Sequence, residues 1–559
     1  MYIDKPWVRH YDKHVPESMK PYTIMSVPEL FDRAVEAHPG SPFCVTAPRY
    51  PKDASEAKEY TYKEIGDLSD QLAAGLVKLG LKKGDPVGLD FVNAPQFAIA
   101  FFGILKAGGV VAAINPHFPP QRKADQLNKS GVEILIMMAR NYESINAVRE
   151  TTLKHIIVSR LDEYYPKSMT DDNSADLALS QNDFWLQQIL EAHSGDPRPK
   201  VEIDPEVDAA VYQGTGGTTG IPKIVYGTHA PLTINPFQIR TWYEDPDPDL
   251  PPDSLLCVIP LYHIFAIVCI LLYAVVLGAP IIMIPDARDT NNIIAHFAAF
   301  RPTIFMAVPA LFNTISRHED IVSGRVNLHS LRFCLSGASP LAPEDKRRFE
   351  SFTSCPLLEG YGSTETLSAV ILNPLRRGKE ESIGTPIPDV ECRIVSLEDG
   401  ETEMPVGEPG ELVLRGPYLM TRYNNNPEET ANTLRNGWLH TGDVAIMDEE
   451  GYFSIIDRKK DVILVGGFNV YPNLIEKVLL DHEAVADAAV AGIPNPKLPK
   501  EEIPKAWIVL APGQEATAEE LVEHCRTYLA RYEVPREVVF VERLPKTPVG
   551  KILRRELVR

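Results

Sequence analysis

Basic residues are scarce relative to acidic ones: 56 Lys and Arg stand against 76 Asp and Glu, a formal net charge of −20. A nucleic-acid backbone demands a basic face, so this balance argues against such a partner and reads as a solubility device. Cysteine is sparse as well. The seven (Cys44, Cys257, Cys269, Cys334, Cys355, Cys392, Cys525) are odd in number and contain no Cys-x-x-Cys pair. That leaves no disulfide framework and no zinc spacing, and fits reduced thiols in a cytoplasmic protein. The opening Met1-Tyr-Ile-Asp-Lys-Pro6 lacks an apolar h-region, so no secretory signal is expected. Unbroken apolar runs are missing too. Residues 255–285 carry no Asp, Glu, Lys or Arg, yet Pro260, Pro280 and Pro285 cut the stretch and neither flank has a basic anchor. A buried helix within Leu261–Ala279 and a strand at Ile281–Ile284 are expected there, not a transmembrane segment; peripheral membrane contact stays open.

What is present points to a multidomain α/β protein. At 559 residues the chain exceeds what one hydrophobic core supports. Residues 62–140 alternate in pattern: a helix from Tyr62, a strand at Pro86–Phe91, a helix over Gln96–Lys106, a strand at Val110–Ile114, a helix over Gln121–Ser130 and a strand at Glu133–Met137. This dictates crossover connections and a mostly parallel sheet covered on both faces, and the pattern returns over 255–357. Residues 160–206 are polar and acidic, as a surface excursion is. Past residue 385 short alternating runs, Glu391–Val395 and Gly410–Arg415, predict an antiparallel subdomain. The charged cluster Asp457-Arg-Lys-Lys-Asp461 then interrupts two apolar strands, and about 100 residues with their own helix and strand patterns follow. We therefore expect a large domain over 1–457, a hinge at 458–460 and a small domain over 461–559.

Residues 215–223, Thr-Gly-Gly-Thr-Thr-Gly-Ile-Pro-Lys, follow a short strand predicted at Asp208–Tyr212. Glycines let backbone N–H groups approach an anion, threonines add hydroxyl donors and lysine adds a point charge. The segment fits neither the P-loop spacing, because Ile221 and Pro222 separate Gly220 from Lys223, nor the dinucleotide fingerprint. A flexible Gly/Thr turn is the bland alternative. Four segments accompany it in order. Pro260-Leu-Tyr-His-Ile-Phe-Ala266 sets His263 in apolar surroundings, by itself the mark of a structural histidine. Tyr361-Gly-Ser-Thr-Glu-Thr366 puts an acid and hydroxyls just past a strand-like Pro356–Leu358, as a phosphate or Mg²⁺ contact or a capped turn requires. Gly437-Trp-Leu-His-Thr-Gly-Asp443 places an aspartate after a tight turn, fit to accept from ribose hydroxyls. Pro545-Lys-Thr-Pro-Val-Gly-Lys-Ile-Leu-Arg-Arg555 offers Lys551 on a Pro/Gly-shaped loop.

Taken together, these segments resemble the adenylate-forming superfamily of acyl-CoA synthetases, firefly-type luciferases and peptide-synthetase adenylation domains, from about residue 25 to Arg555. Asp457–Pro472 is most similar to bacterial fatty acyl-CoA synthetases, and Ile259–Ala266 equally to coumarate-CoA ligases. The resemblance implies an α/β fold: a large N-terminal domain of stacked, mostly parallel αβαβα sheets plus an antiparallel β subdomain, and a small mobile C-terminal α+β domain. It implies an ATP-dependent ligase that makes an acyl-adenylate and then a CoA thioester, with ATP, Mg²⁺ and coenzyme A as substrates and cofactors, acting as a monomer or homodimer.

Residue by residue, the resemblance implies that Thr215, Gly216, Gly217, Thr218, Thr219, Gly220 and Lys223 hold the β- and γ-phosphates, and that Glu365 binds Mg²⁺. Gly337, Ala338 and Ser339, with Glu359, Gly360, Tyr361, Gly362, Ser363 and Thr364, frame adenine and the acyl carbonyl. Asp443, Ile455 and Arg458 hold the nucleoside. Lys551 bridges the carboxylate and the α-phosphate, His263 acts beside the carboxylate, and Tyr262, His263, Ile267, Val308, Leu335, Gly337 and Gly362 line the acyl pocket. Gly466, Gly467 and Asn469 form the CoA tunnel, and Lys460 is the hinge. Two positions depart from relatives: Ile224 replaces the usual glycine, and Leu464 stands where coumarate-type ligases carry lysine, which favours fatty or alicyclic acids. No fixed Arg or Lys is evident for a second substrate carboxylate, so a largely apolar monocarboxylic acid is expected. The rival readings are a stand-alone enzyme loading a carrier protein, a luciferase-like oxygenase, and a non-catalytic nucleotide-binding protein.

Overall fold

Two compact units make up the chain in the computed structural model, which describes residues 2–146, 152–166, 177–215, 223–244, 250–465, 468–495, 502–546 and 552–558. The first unit is Val8–Val390 with Arg415–Leu434; the second is Met1–Trp7, Glu391–Leu414 and Arg435–Arg559.

In the first unit the alternating patterns fold as expected. Tyr62–Lys78 is a helix opened by a capping box, in which Thr61 accepts from the Glu64 N–H and the Glu64 carboxylate accepts from the Thr61 N–H. Pro95–Lys106 is a helix buried on every side, which is why its apolar pattern lacks a polar face. Eight strands form one sheet in the order Arg422–Tyr423, Ile224–Thr228, Ala209–Gly214, Val110–Ala113, Pro86–Asp90, Ile134–Met138, His155–Ser159, Phe184–Trp185. From Ala209–Gly214 onward its neighbours run parallel, and Ile224–Thr228 returns antiparallel beside Ala209–Gly214. A nine-stranded sheet has a parallel centre, Leu357–Ser363, Phe333–Ser336, Ile304–Ala307, Leu255–Cys257, Ile281–Met283 and Pro42–Thr46, with antiparallel strands at both edges.

The apolar stretch at 255–285 is core. Its helical part runs Ile264–Ala266, a π-helical segment Ile267–Leu272 and Tyr273–Leu277, and ends at Gly278 with φ +66°. A side chain at Gly278 would meet the His38 ring at 2.4 Å. The helix therefore starts three residues later than Leu261, because Asn93 binds the preceding backbone. Asn93 is 3% exposed; its Nδ2 donates to the carbonyls of Cys257, Ile259 and Ile284 at 3.3, 3.1 and 3.1 Å, and its Oδ1 accepts the Leu261 N–H at 2.8 Å. It thus ties the end of a strand in one sheet to the ends of two strands in the other. Among the described residues no helix is long and apolar enough to cross a membrane.

His229 opens the helix His229–Tyr243 behind the Ile224–Thr228 strand; it is buried, and its Nδ1 accepts the Val27 N–H at 3.2 Å. Burial pushes its pKa down to about 4, with Asp208 opposing and Lys83 reinforcing the shift. The folded state therefore refuses a proton that the unfolded chain accepts near pH 6.5, so stability falls as pH drops from about 6.5 toward 4. Denaturant titrations should find this group removing about 2 kcal/mol between pH 7 and pH 5. His229→Gln, which keeps an acceptor for Val27, should flatten that slope; an unchanged slope counts against the assignment.

The second unit contains an antiparallel sheet of Glu391–Val395, Gly410–Arg415, Trp438–Met447, Leu434–Arg435 and Phe453–Arg458. Its C-terminal part is a Val485–Pro494, Glu502–Leu510, Glu537–Phe540 sheet with helices Pro472–Leu480 and Ala518–Tyr528 and a core including Ile475, Val490, Ile508 and Leu521. The division expected at 457, 458–460 and 461 lies inside this unit. Within the charged cluster Asp457 is buried, and its Oδ2 accepts the Asn473 N–H at 2.8 Å. A hinge at 458–460 concerns motion and remains a proposal.

Candidate active site

In the first unit, three chain segments meet at the ends of the Thr/Gly loop. The Thr215 N–H donates to the Lys223 carbonyl at 2.9 Å, closing the stalk just beyond the Gly214 and Ile224 pair. Gly216, Gly217, Thr218, Thr219 and Gly220 lie outside the described residues. Lys223 Nζ is ion-paired with Glu429 on the helix Pro427–Thr433 and sits 4.9 Å from the centroid of the Tyr423 ring. The Tyr423 hydroxyl in turn donates to Glu365 Oε1 at 2.7 Å.

Glu365 sits on a braced turn. The strand past Pro356 runs farther than its sequence pattern indicates, Leu357–Ser363, because Ser368–Leu372 pairs with it antiparallel. Tyr361, Gly362 and Ser363 therefore belong to a strand, and Thr364–Leu367 form the turn. Thr366 Oγ1 accepts the Ser363 N–H at 2.7 Å and donates to the Ser368 carbonyl at 2.6 Å. Leu367, at φ +52°, lays its side chain over Gly227, whose missing Cβ would meet it at 2.7 Å. The Glu365 turn is thereby packed on the strand leaving the Thr/Gly loop. The second Glu365 oxygen accepts no hydrogen bond from a described residue. One free carboxylate oxygen beside the Thr/Gly loop stalk suits Mg²⁺, which keeps most of its waters and takes one or two carboxylates plus substrate phosphates.

The adenine and acyl candidates line the carboxyl ends of the parallel strands. Register pairs Ala307 with Ser336 and Ser336 with Glu359, so Val308, Gly337 and Gly360 follow at one level. Ala338 holds φ +72°, a left-handed conformation that costs a non-glycine residue roughly 1 kcal/mol or more. A Cβ on Gly362 would lie 2.0 Å from the Ser368 carbonyl, so that position has no room for a side chain, and one on Gly337 would press against the Phe265 ring at 3.2 Å. Tyr262, Ile267 and Leu335 are buried, and Val308 and His263 are partly buried. The Tyr262 carbonyl accepts from Gln213 Nε2 at 2.9 Å, which fixes the His263 turn to the strand entering the Thr/Gly loop. Burial raises the Glu359 pKa to about 7, the Leu341 N–H opposing it.

In the second unit Asp443 and Arg458 are cross-strand partners, and Arg458 Nε contacts Asp443 Oδ1 at 2.7 Å. Ile455 pairs with Ala445 on the same two strands. Glu411 organises this region: it is buried, accepts the Gly442 N–H at 3.1 Å and contacts His440 and Lys459 at 3.3 and 2.8 Å. Burial pushes its pKa up, but His440 and Lys459 outweigh this and hold it at about 2. Lys460 lies in a 3₁₀ turn, Lys459–Asp461. Asn469 is exposed on the Phe468–Val470 strand opposite Leu464, while Gly466 and Gly467 lie outside the described residues. So does Lys551. Its flanks are anchored: Ile552 bridges Lys546, the Leu553 N–H donates to the Pro545 carbonyl at 2.9 Å, and Arg554 donates to both Glu476 oxygens at 2.8 Å.

Sequence reading missed Asn93, Phe265, Glu411, Tyr423 and Glu429. Tyr423 and Glu429 stand in Arg422-Tyr-Asn-Asn-Asn-Pro-Glu-Glu-Thr430, where an Asn-Pro-Glu-Glu helix start was the available signal.

Residues 31–424 match the AMP-binding enzyme family model, and residues 474–551 match the AMP-binding enzyme C-terminal domain. A long-chain-fatty-acid–CoA ligase of Escherichia coli is 34% identical over 579 residues, covering 99% of this chain and 98% of the relative. A 4-coumarate–CoA ligase of Arabidopsis thaliana is 32% identical over 517 residues, covering 90% and 87%. The crystal structure of an anthranilate CoA ligase in complex with anthranoyl-AMP superposes with a TM-score of 0.81 at 25% identity, covering 96% and 97%. The two-domain fold and the full-length matches agree: this chain belongs to the AMP-binding enzyme family and is an acid–thiol ligase.

Proposed function

We propose that the protein is an ATP-dependent acyl-CoA synthetase that activates a largely apolar monocarboxylic acid, fatty in preference to hydroxycinnamic, and releases AMP and pyrophosphate. The observation that carries the reading is the end-to-end similarity to long-chain-fatty-acid–CoA ligases, 98% of whose length the chain covers. The residues supply what the chemistry demands. In the first half-reaction a carboxylate oxygen attacks the α-phosphorus of ATP and pyrophosphate leaves with the electron pair of the broken P–O bond. Two anions meet, so cations and N–H donors have to gather there. Thr215, Lys223 and the loop between them grip the outer phosphates, Asp443 and Arg458 the ribose, and Lys551 the reacting oxygens. Glu365 would hold Mg²⁺, which would supply charge neutralisation at the phosphates.

In the second half-reaction the thiol of coenzyme A adds to the acyl carbonyl and expels AMP. Lys551 has to vacate the carbonyl for this, and rotation at Lys460 provides the means, bringing Gly466, Gly467 and Asn469 to the pantetheine path. The buried side chains of Tyr262, Ile267 and Leu335 offer the acid hydrocarbon surroundings. A cytoplasmic location suits a consumer of ATP and coenzyme A.

The test is pyrophosphate release across straight-chain fatty acids, hydroxycinnamates, benzoates and dicarboxylates, with and without coenzyme A, with products weighed by mass spectrometry. Fatty acids of some chain length should give the highest kcat/KM and a CoA thioester. Preference for a hydroxycinnamate or a dicarboxylate contradicts the substrate class. Release of pyrophosphate without thioester favours a carrier-loading enzyme, and no acid-dependent release favours a non-catalytic protein.

A further inference from the structure

Glu365 and Lys223, the carboxylate and the cation that the triphosphate and its metal need, are both held by a single short segment, residues 422–430. The strand Arg422–Tyr423 is the edge neighbour of Ile224–Thr228, with Tyr423 opposite Val225 and the Asn424 N–H donating to the Ile224 carbonyl at 2.7 Å. The following helix starts at once. Asn426 caps it by accepting the Glu429 N–H at 3.2 Å, and Thr430 Oγ1 accepts the Tyr423 N–H at 3.0 Å while donating to the Asn426 carbonyl at 2.7 Å. Strand and helix are thus one rigid corner, from which Tyr423 and Glu429 project toward the two groups.

We propose that Tyr423 and Glu429 are positioning residues for adenylate formation, Tyr423 aiming the Glu365 carboxylate at the metal and Glu429 aiming Lys223 at the phosphates. This rests on the reading of Lys223 and Glu365 as phosphate and metal contacts given above. A phenol orients a carboxylate by donating to one oxygen without neutralising its charge, leaving the other oxygen and the full charge for a cation. Tyr423 is 2% exposed, so its ring cannot swing away. Lysine is a flexible four-carbon stem ending in a point charge, and unrestrained it samples many directions. Here its ammonium is confined between the Glu429 carboxylate and the face of the Tyr423 ring. The ion pair is not there for stability. Its side chains are 39% and 34% exposed, and pairs so placed contribute little to folding. What they provide is geometry set before the substrate arrives, which spares ordering cost at the moment of reaction.

The experiment uses the full-length protein. Initial rates of acid-dependent pyrophosphate release are measured for Tyr423→Phe, Glu429→Gln and Glu429→Asp with ATP and Mg²⁺ varied separately. Thioester formation from supplied acyl-adenylate and the thermal midpoint are measured beside them. Tyr423→Phe keeps the ring and should raise half-saturating Mg²⁺ by about three- to tenfold, the worth of a typical net hydrogen bond. Glu429→Gln should raise the KM for ATP by a similar factor, with Glu429→Asp restoring part of the loss. Thioester formation and the thermal midpoint should stay close to the unsubstituted values. Unchanged Mg²⁺ and ATP dependence overturns the proposal; so does a lowered KM for ATP in Glu429→Gln, which makes Glu429 a competitor for Lys223. Equal losses in both half-reactions reveal a structural role and overturn it too. Lys223→Ala and Glu365→Gln are run in parallel. If they leave pyrophosphate release intact, the underlying reading of the site fails; if they abolish it while the other variants are silent, only the positioning role fails.

Discussion

Lys551→Ala should lose acyl-adenylate formation by a factor on the order of 10² to 10³ while converting supplied acyl-adenylate to the CoA thioester within about twofold of the unsubstituted rate. The asymmetry follows from charge. In the first half-reaction negative charge builds on oxygens shared between the carboxylate and the α-phosphate, and one ammonium between them serves both. In the second, a neutral carbonyl is attacked and no such bridge is required. The substitution is clean because the residues flanking Lys551 on both sides are anchored without it. Arg554 donates to Glu476, to Asn473 Oδ1 at 2.5 Å and to the Val490 carbonyl at 2.9 Å, and Lys546 Nζ contacts Asp487 at 2.5 Å. Pyrophosphate release measures the first step and rapid-quench thioester formation the second. Equal losses in the two assays contradict the division of labour.

Asn93→Ala should destabilise the first unit by about 3 kcal/mol, the cost of leaving a buried N–H unpaired together with several carbonyls deprived of their donor. One side chain serves four backbone groups from two segments, Cys257, Ile259 and Leu261 in one and Ile284 in the other. Its backbone carbonyl is also engaged, accepting from the Tyr165 hydroxyl at 2.8 Å. Because the Ile259–Leu261 backbone leads directly into Tyr262 and His263, the variant should also raise the KM for the acid more than the KM for ATP. Denaturant midpoints and the two KM values check both parts. A loss below about 1 kcal/mol means that water or rearranged backbone satisfies these groups as well as asparagine does.

The parallel core was legible because its signals are local. The helices Tyr62–Lys78 and Pro95–Lys106 and the strands Pro86–Asp90 and Val110–Ala113 lie within one or two residues of their hydrophobic patterns. The apolar 255–285 stretch was recognised as core because proline and glycine interrupt it, although its π-helical segment has no sequence signature. What stayed hidden depends on contacts between residues far apart in the chain. Tyr423 reaches Glu365 across 58 positions and Lys223 reaches Glu429 across 206. The extension of Leu357–Ser363 through Tyr361 and Gly362 required a strand partner that a local pattern does not name. The charged run Asp457–Asp461 gives no local sign of burial. In the structure its first member is a buried acceptor. Glu411 likewise lies in an alternating strand where it looks like a solvent-facing residue, yet it is 3% exposed and serves His440, Gly442 and Lys459.

The central claim is that a carboxylate is activated through its adenylate. It is tested most directly by following the acid's own oxygens. With a fatty acid labelled with ¹⁸O in both carboxylate positions, ATP, Mg²⁺ and coenzyme A, one labelled oxygen should appear in AMP for each thioester formed. Attack on the α-phosphorus carries that oxygen into the adenylate, and the thiol then cleaves the carbon–oxygen bond. Label in AMP at one atom per turnover, with unlabelled pyrophosphate, is the predicted result. Label in phosphate or pyrophosphate, with ADP as the nucleotide product or with AMP unlabelled, would contradict it.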